Sequence, residues 1–147
     1  MSLKDWANNG WLVEHRTSRQ EISDMLSVVD HDLRNCAVKG LSEDWQLAIA
    51  YNSILQSATA ALAACGYRVA RGSHHYRVIQ SLALTIDMDA IQVSRLDAFR
   101  KKRNISDYER AGIVSEAEAR EIIAVARTVR KAVEEWLRRN HPDLLPA

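Results

Sequence analysis

Residues 42–66 read SEDWQLAIAYNSILQSATAALAACG, and this stretch decides the fold. Ser42 stands where a helix needs an acceptor for its first free N–H groups. Gly66 stands where the chain must turn left-handed to leave the helix. Between them Trp45, Ala48, Ile49, Ile54, Leu55, Ala58, Leu62 and Cys65 recur at three- and four-residue steps, the period of a helix face. The many alanines allow close approach of neighbours, so this helix is expected at the centre of a bundle.

The flanking segments repeat the pattern. Ser18 with Glu21 reads as a capping box, opening a helix with Ile22, Met25, Leu26, Val29 and Leu33 inward and Gly40 closing it. Ser73 starts a shorter helix carrying Tyr76, Ile79 and Leu82. Asp87 or Asp89 caps the next, with Ile91, Leu96 and Phe99 inward. Ser115 with Glu118 is a second capping box, and the last helix buries Ile122, Val125, Ala126, Val129, Val133 and Trp136. A short helix is expected near Leu3 to Asn9, and Trp11-Leu12-Val13 is the one strand signal. Both prolines, Pro142 and Pro146, lie near the C-terminus, so nothing before them obligatorily breaks a helix. Gly10, Gly40, Gly66, Gly72 and Gly112 each end a periodic segment. These signals predict an all-α protein, an antiparallel up-and-down bundle of five to six helices. Residues 18–140 form the bundle, residues 1–17 pack on or flank it, and residues 141–147 are a tail.

Composition bounds the function. Of 147 residues, 47% are apolar, enough for a full core. Twenty Lys and Arg against nineteen Asp and Glu leave a net charge of +1, which excludes coating nucleic acid by bulk charge but not a local basic patch. Cys36 and Cys65 give neither a disulfide framework nor a zinc spacing. Both stand in apolar helical settings, where cysteine is a small hydrophobe. No apolar run is expected to span a bilayer and no signal peptide opens the chain, so the expectation is a soluble cytoplasmic protein without a membrane partner.

The densest charge feature is Arg100-Lys101-Lys102-Arg103-Asn104, expected at a helix end. Its cations either hold a phosphate or simply complement the helix dipole. Asn104 adds base-edge hydrogen bonding and Tyr108 adds stacking, neither of which the dipole requires. The binding set is therefore Arg100, Lys101, Arg103, Asn104 and Tyr108. Other motifs carry less. Gly72-Ser73 followed by Asp87-Met88-Asp89 imitates a nucleotidyltransferase signature, but that chemistry needs its carboxylates on strands, and capping explains them here. His74 and His75 point about 100° apart on a helix, so they do not form a two-ligand metal face; one lines a cleft or packs in the core. No metal site and no cofactor is called for, since the phosphate-cradling glycine loop is missing. In the last helix Arg120, Arg127, Arg130, Lys131, Arg138 and Arg139 interleave with glutamates. An anion site would form there if the Arg100–Arg103 segment packed beside Arg127 or Arg130.

Three stretches together resemble the HEPN family, all-α domains named for nucleotide binding in higher eukaryotes and prokaryotes. Asp44 to Asn52, continuing through Ala60-Ala61-Leu62 to Gly66-Tyr67-Arg68, looks like that family's central helix. His74-His75 through Ile79 and Leu82 is similar to its next helix, and Phe99 to Tyr108 resembles its Arg-containing motif. The resemblance implies RNA or nucleotide binding, a homodimer, and a toxin–antitoxin or defence setting beside a nucleotidyltransferase-type antitoxin partner. Active members carry a His four to six residues after the Arg, and here none follows before His141. A variant ribonuclease centre would rest on Arg103, Asp107 and Tyr108. Arginine supplies the cation, but a carboxylate paired to arginines is a weak base, and a tyrosine phenol ordinarily holds its proton to about pH 10. Binding is therefore expected to outlast turnover. The rival readings are that metal-independent ribonuclease and a structural bundle whose exposed Trp6 and Trp11 mark a protein interface.

Overall fold

A computed structural model describes residues 1–72 and 74–146. In chain order the elements are α1 (Leu3–Asn8), β1 (Leu12–Glu14), α2 (Arg19–Asn35), α3 (Glu43–Ala64), β2 (Tyr67–Val69), α4 (His74–Thr85), α5 (Ala90–Tyr108) and α6 (Glu116–Asn140), with a 3-10 turn at Pro142–Leu144. The protein is an all-α helical bundle with a small two-stranded ribbon, as the caps and periodicity predict.

The caps explain where the helices begin. The hydroxyls of Ser18, Ser42 and Ser115 accept from the backbone N–H groups of Glu21, Trp45 and Glu118, and the Asp89 carboxylate accepts from Gln92. Asp89, not Asp87, is thus the α5 cap; Asp87 sits at φ 60, outside the helix. The Ser18 box is half-made, because the Glu21 carboxylate accepts from Thr17 and pairs with His15 instead. The helix after Ser18 ends at Asn35, short of Gly40. The Ser73 cap lies outside the described residues. Gly66 turns left-handed at φ 92 and returns its N–H to the Ala63 carbonyl, which ends α3 as expected.

The central position of α3 shows in its burial. It packs against α2, α4, α5 and α6. Twelve of its residues are buried, from Leu47 to Ala63, with Ala58, Ala60, Ala61 and Leu62 at or below 1% exposure. Buried Ser53 and Ser57 donate their hydroxyls to the helix's own carbonyls at Ala50 and Ser53. This helix is long and apolar enough to cross a bilayer, contrary to the expectation that no run is; two thirds of that apolar window is buried among its neighbours.

Three large side chains expected inward face solvent: Trp45 at 63% exposure, Tyr76 at 39% and Ile91 at 81%. The reason is common to all. Each stands two residues before the first buried position of its helix, namely Leu47, Val78 and Val93, and two residues turn the helix by about 200°.

β1 pairs antiparallel with β2, Leu12 opposite Val69 and Glu14 opposite Tyr67, so the N-terminal segment is tied to the chain that leaves α3. β2 carried no readable signal: it is three residues long and derives its order from the pairing. Trp6 is buried and Trp11 half-buried, their rings edge-on at 5.8 Å. They serve the core here and are not the exposed interface aromatics expected. At the other end Leu145 is buried, and the 3-10 turn packs on α2 and α6.

Candidate functional site

The segment Arg100 to Tyr108 forms the C-terminal part of α5, which ends at Tyr108, and its four cations stand before the last turn. Consecutive helix side chains fan out by about 100°, so the four cations separate. Lys102 reaches Glu118 of α6 at 3.3 Å, while Lys101 is mostly exposed, 3.6 Å from Asp97. Arg100 and Arg103, three apart, share a side toward α3 and α4. The combined site with α6 does not form: Arg130 is engaged with Asp30 and Glu134, and Arg127 is exposed.

On the α3–α4 side the contacts are specific. Arg100 donates its Nε–H to Asp97 at 2.6 Å, and its guanidinium lies 5.4 Å from the Tyr76 ring. Arg103 Nε is 2.9 Å from an Asp107 oxygen, but its N–H is not aimed there and makes no hydrogen bond among the described residues. The Arg103 guanidinium sits 5.6 Å from the Tyr51 ring and 5.9 Å from that of Tyr108. His75 meets Tyr51 edge-on at 6.0 Å. Tyr108 is 75% exposed, and Asn104 is half-buried one position beyond Arg103.

Of the residues singled out from sequence, Arg100, Arg103, Asp107 and Tyr108 are thus brought together, while Lys101 points to solvent. Four others complete the cluster and were missed as site residues: Tyr51, His75, Tyr76 and Asp97. Tyr51 had a signal, being the one phenol in α3. His75 had one as half of the histidine pair, one member of which was expected to line a cleft or pack in the core; Tyr76 and Asp97 had none, because helix spacing within α4 and α5 does not say which faces meet.

The burial of this face sets its electrostatics. Burial pushes the Tyr51 phenol up, against the pull of Arg100 and Arg103, so it stays a neutral O–H donor. His75 is held below the usual histidine value, first by burial and then by Arg103, His74 and Arg100. The Asp97 hydrogen bond raises Arg100 further. Neutral His75 therefore stands beside two fixed cations.

A titration follows from that. His75 resists protonation when folded but not when unfolded, so below about pH 6.5 the unfolded chain binds more protons and stability is lost as the pH is lowered. Glu21, hydrogen-bonded by Thr17 and His15, and Glu118, hydrogen-bonded by the Ser115 N–H, titrate below the usual value of 4.5 and add their loss only in stronger acid. Urea midpoints at pH 7 and 5.5 are expected to drop for the native protein and to stay nearer level for His75→Gln. Parallel drops in both would remove His75 as the cause.

Polar satisfaction marks the same region. Four buried side-chain atoms lack a partner among the described residues: Asp44 Oδ1 and Tyr51 Oη on α3, Arg103 Nε and Ser106 Oγ on α5. The other Asp44 oxygen accepts from the Gly112 N–H at 2.6 Å. A cavity of about 280 Å³ opens there, lined by Asp44, Trp45, Ser106, Asp107 and Ala111. Among the described residues no three His, Cys, Asp or Glu gather to hold a metal ion. No family model matches the chain, and no curated protein is similar enough to be counted as a relative.

Proposed function

We propose that the face formed by α3, α4 and α5 binds RNA or a nucleotide through Arg100 and Arg103, with Asn104 and Tyr108 at its outer edge, as a HEPN-like domain lacking the usual motif histidine. One observation carries this reading. Of the four partnerless buried polar atoms among the described residues, two belong to this face: the Tyr51 hydroxyl, whose ring lies 5.6 Å from the Arg103 guanidinium, and Arg103 Nε itself. Native proteins leave few such atoms, because each costs roughly 1–3 kcal/mol. An open hydroxyl and an open N–H suit a ligand rich in acceptors, and a phosphate is the simplest one, whereas the carboxylate oxygen of Asp44 is an acceptor and takes no part in this. Tyr76 and Tyr108, both exposed, offer faces on which a base can stack. The resemblance supports the remaining parts of the reading: a cytoplasmic homodimer in a toxin–antitoxin or defence setting, with a nucleotidyltransferase-type antitoxin partner.

The test is binding of labelled single-stranded RNA, and of AMP by calorimetry, between 50 and 200 mM salt. Affinity is expected to fall with salt, with a slope smaller by about 0.7 for each arginine removed in Arg100→Gln/Arg103→Gln. Absence of binding at low salt, or an unchanged slope in a folded double variant, overturns the proposal.

A second reading, a metal-independent ribonuclease with a variant centre at Arg103, Asp107 and Tyr108, is favoured by the neutral imidazole of His75 on the same face. Attack by a ribose 2′-hydroxyl needs a proton acceptor beside a cation that holds the phosphate, and His75 meets that need better than Tyr108. Intact RNA after incubation with excess protein and a chelator leaves binding as the whole function.

A further inference from the structure

A second cluster of arginine and aromatic rings adjoins the first. Arg77, on α4, stacks its guanidinium 3.6 Å from the Trp11 ring centre, closer than the 5.4 Å between Arg100 and Tyr76. Trp6 meets Trp11 edge-on and is itself buried, which fixes the platform from beneath. Arg71 is exposed on the loop between β2 and α4. With Gly10, Trp11, Ala70, Gly72 and Arg77 it lines a cavity of about 250 Å³ that has no carboxylate in its wall.

The charge here is uncompensated. Arg100 and Arg103 each have a carboxylate within 4 Å, whereas Arg71 and Arg77, like several surface cations such as Arg127, have none among the described residues; Arg77 differs from those in being held on the Trp11 ring. An arginine stacked on an indole is oriented without being neutralised, so its outer N–H groups remain free to meet an anion. The two clusters are also continuous. Both the Arg77 and the Arg100 guanidinium lie within 5.5 Å of the Tyr76 ring, giving an unbroken run of Trp11, Arg77, Tyr76 and Arg100.

Alternation of guanidinium groups and rings suits a chain that itself alternates phosphates and bases, and stacking of this kind tolerates any sequence because every base has a π-face. Cavity size separates a polymer from a small molecule. Pockets for whole small ligands run from about 300 to 1,000 Å³, so this smaller hollow takes one phosphate–sugar unit of a longer ligand. We propose that Arg71, Arg77 and Trp11 form a second anion site, holding a further phosphate of a single-stranded oligonucleotide whose neighbouring phosphate lies at Arg100 and Arg103. This rests on the function proposed above and makes its ligand a strand, not a mononucleotide.

The experiment compares uridine monophosphate with uridine oligomers of about two, four and eight nucleotides, lengths that run from below to within the site sizes of single-strand binders. Affinity is expected to climb with length in the native protein. Arg71→Glu, a change at an exposed side chain, is expected to weaken the octamer about tenfold and leave the monophosphate unchanged. Arg77→Gln is expected to do the same, with thermal melts confirming that both variants fold. Arg100→Gln/Arg103→Gln weakens every length. If Arg71→Glu and Arg77→Gln bind the octamer like the native protein, the second site is overturned while the first stands. If no length binds to the native protein, both fall.

Discussion

Ile54→Ala is expected to cost about 3–4 kcal/mol and lower the midpoint of thermal unfolding by about 10 °C, while Ile91→Ala changes little. Both are isoleucines on long helices, and composition does not tell them apart. Ile54 is completely buried on α3, which packs against four other helices at once. Its removal leaves a void that close-packed neighbours fill only in part, so the cavity adds to the lost transfer energy. Ile91 is 81% exposed in the first turn of α5 and leaves no void. Circular-dichroism melts of the two variants check this. Equal losses would mean that α3 is not the common core element. The same reasoning makes the alanines at 58, 60 and 61 a requirement, because a larger side chain there must displace a neighbouring helix.

Most of this architecture was legible because it is local. A serine or aspartate cap satisfies N–H groups within one turn, and a glycine exit needs only its own φ, so helix starts and the end of α3 read directly from residue types. What was not legible is relational. β2 is ordered by pairing with β1, some fifty residues earlier in the chain. Trp45, Tyr76 and Ile91 matched a helical period, yet the phase of that period is fixed by the neighbour each helix meets. The Arg100 segment illustrates both limits. Its residue types marked it for phosphate chemistry, but four adjacent cations suggested one patch, and helix geometry divides them between α4, α6 and solvent. Tyr51 and His75 entered the site only through the packing of α3 on α4 and α5.

Tyr51→Phe is expected to stabilise the free protein by about 1 kcal/mol and to weaken its hold on RNA or nucleotide. The Tyr51 side chain is 1% exposed and its hydroxyl has no partner among the described residues. Burying that group without a hydrogen bond costs roughly 1–3 kcal/mol, and phenylalanine removes the cost while keeping the ring that packs on Arg103 and His75. A core position that could be improved by deleting one oxygen, and yet holds it, is the pattern of a site that trades stability for binding. Stability and affinity should therefore move in opposite directions in this one variant, measured by urea unfolding and by RNA titration at fixed salt. A simple packing role predicts otherwise: stability rises and affinity stays. If instead Tyr51→Phe destabilises the free protein, the hydroxyl already has a partner in solution. It is then part of the scaffold, and the ligand must be held by Arg100 and Arg103 without it.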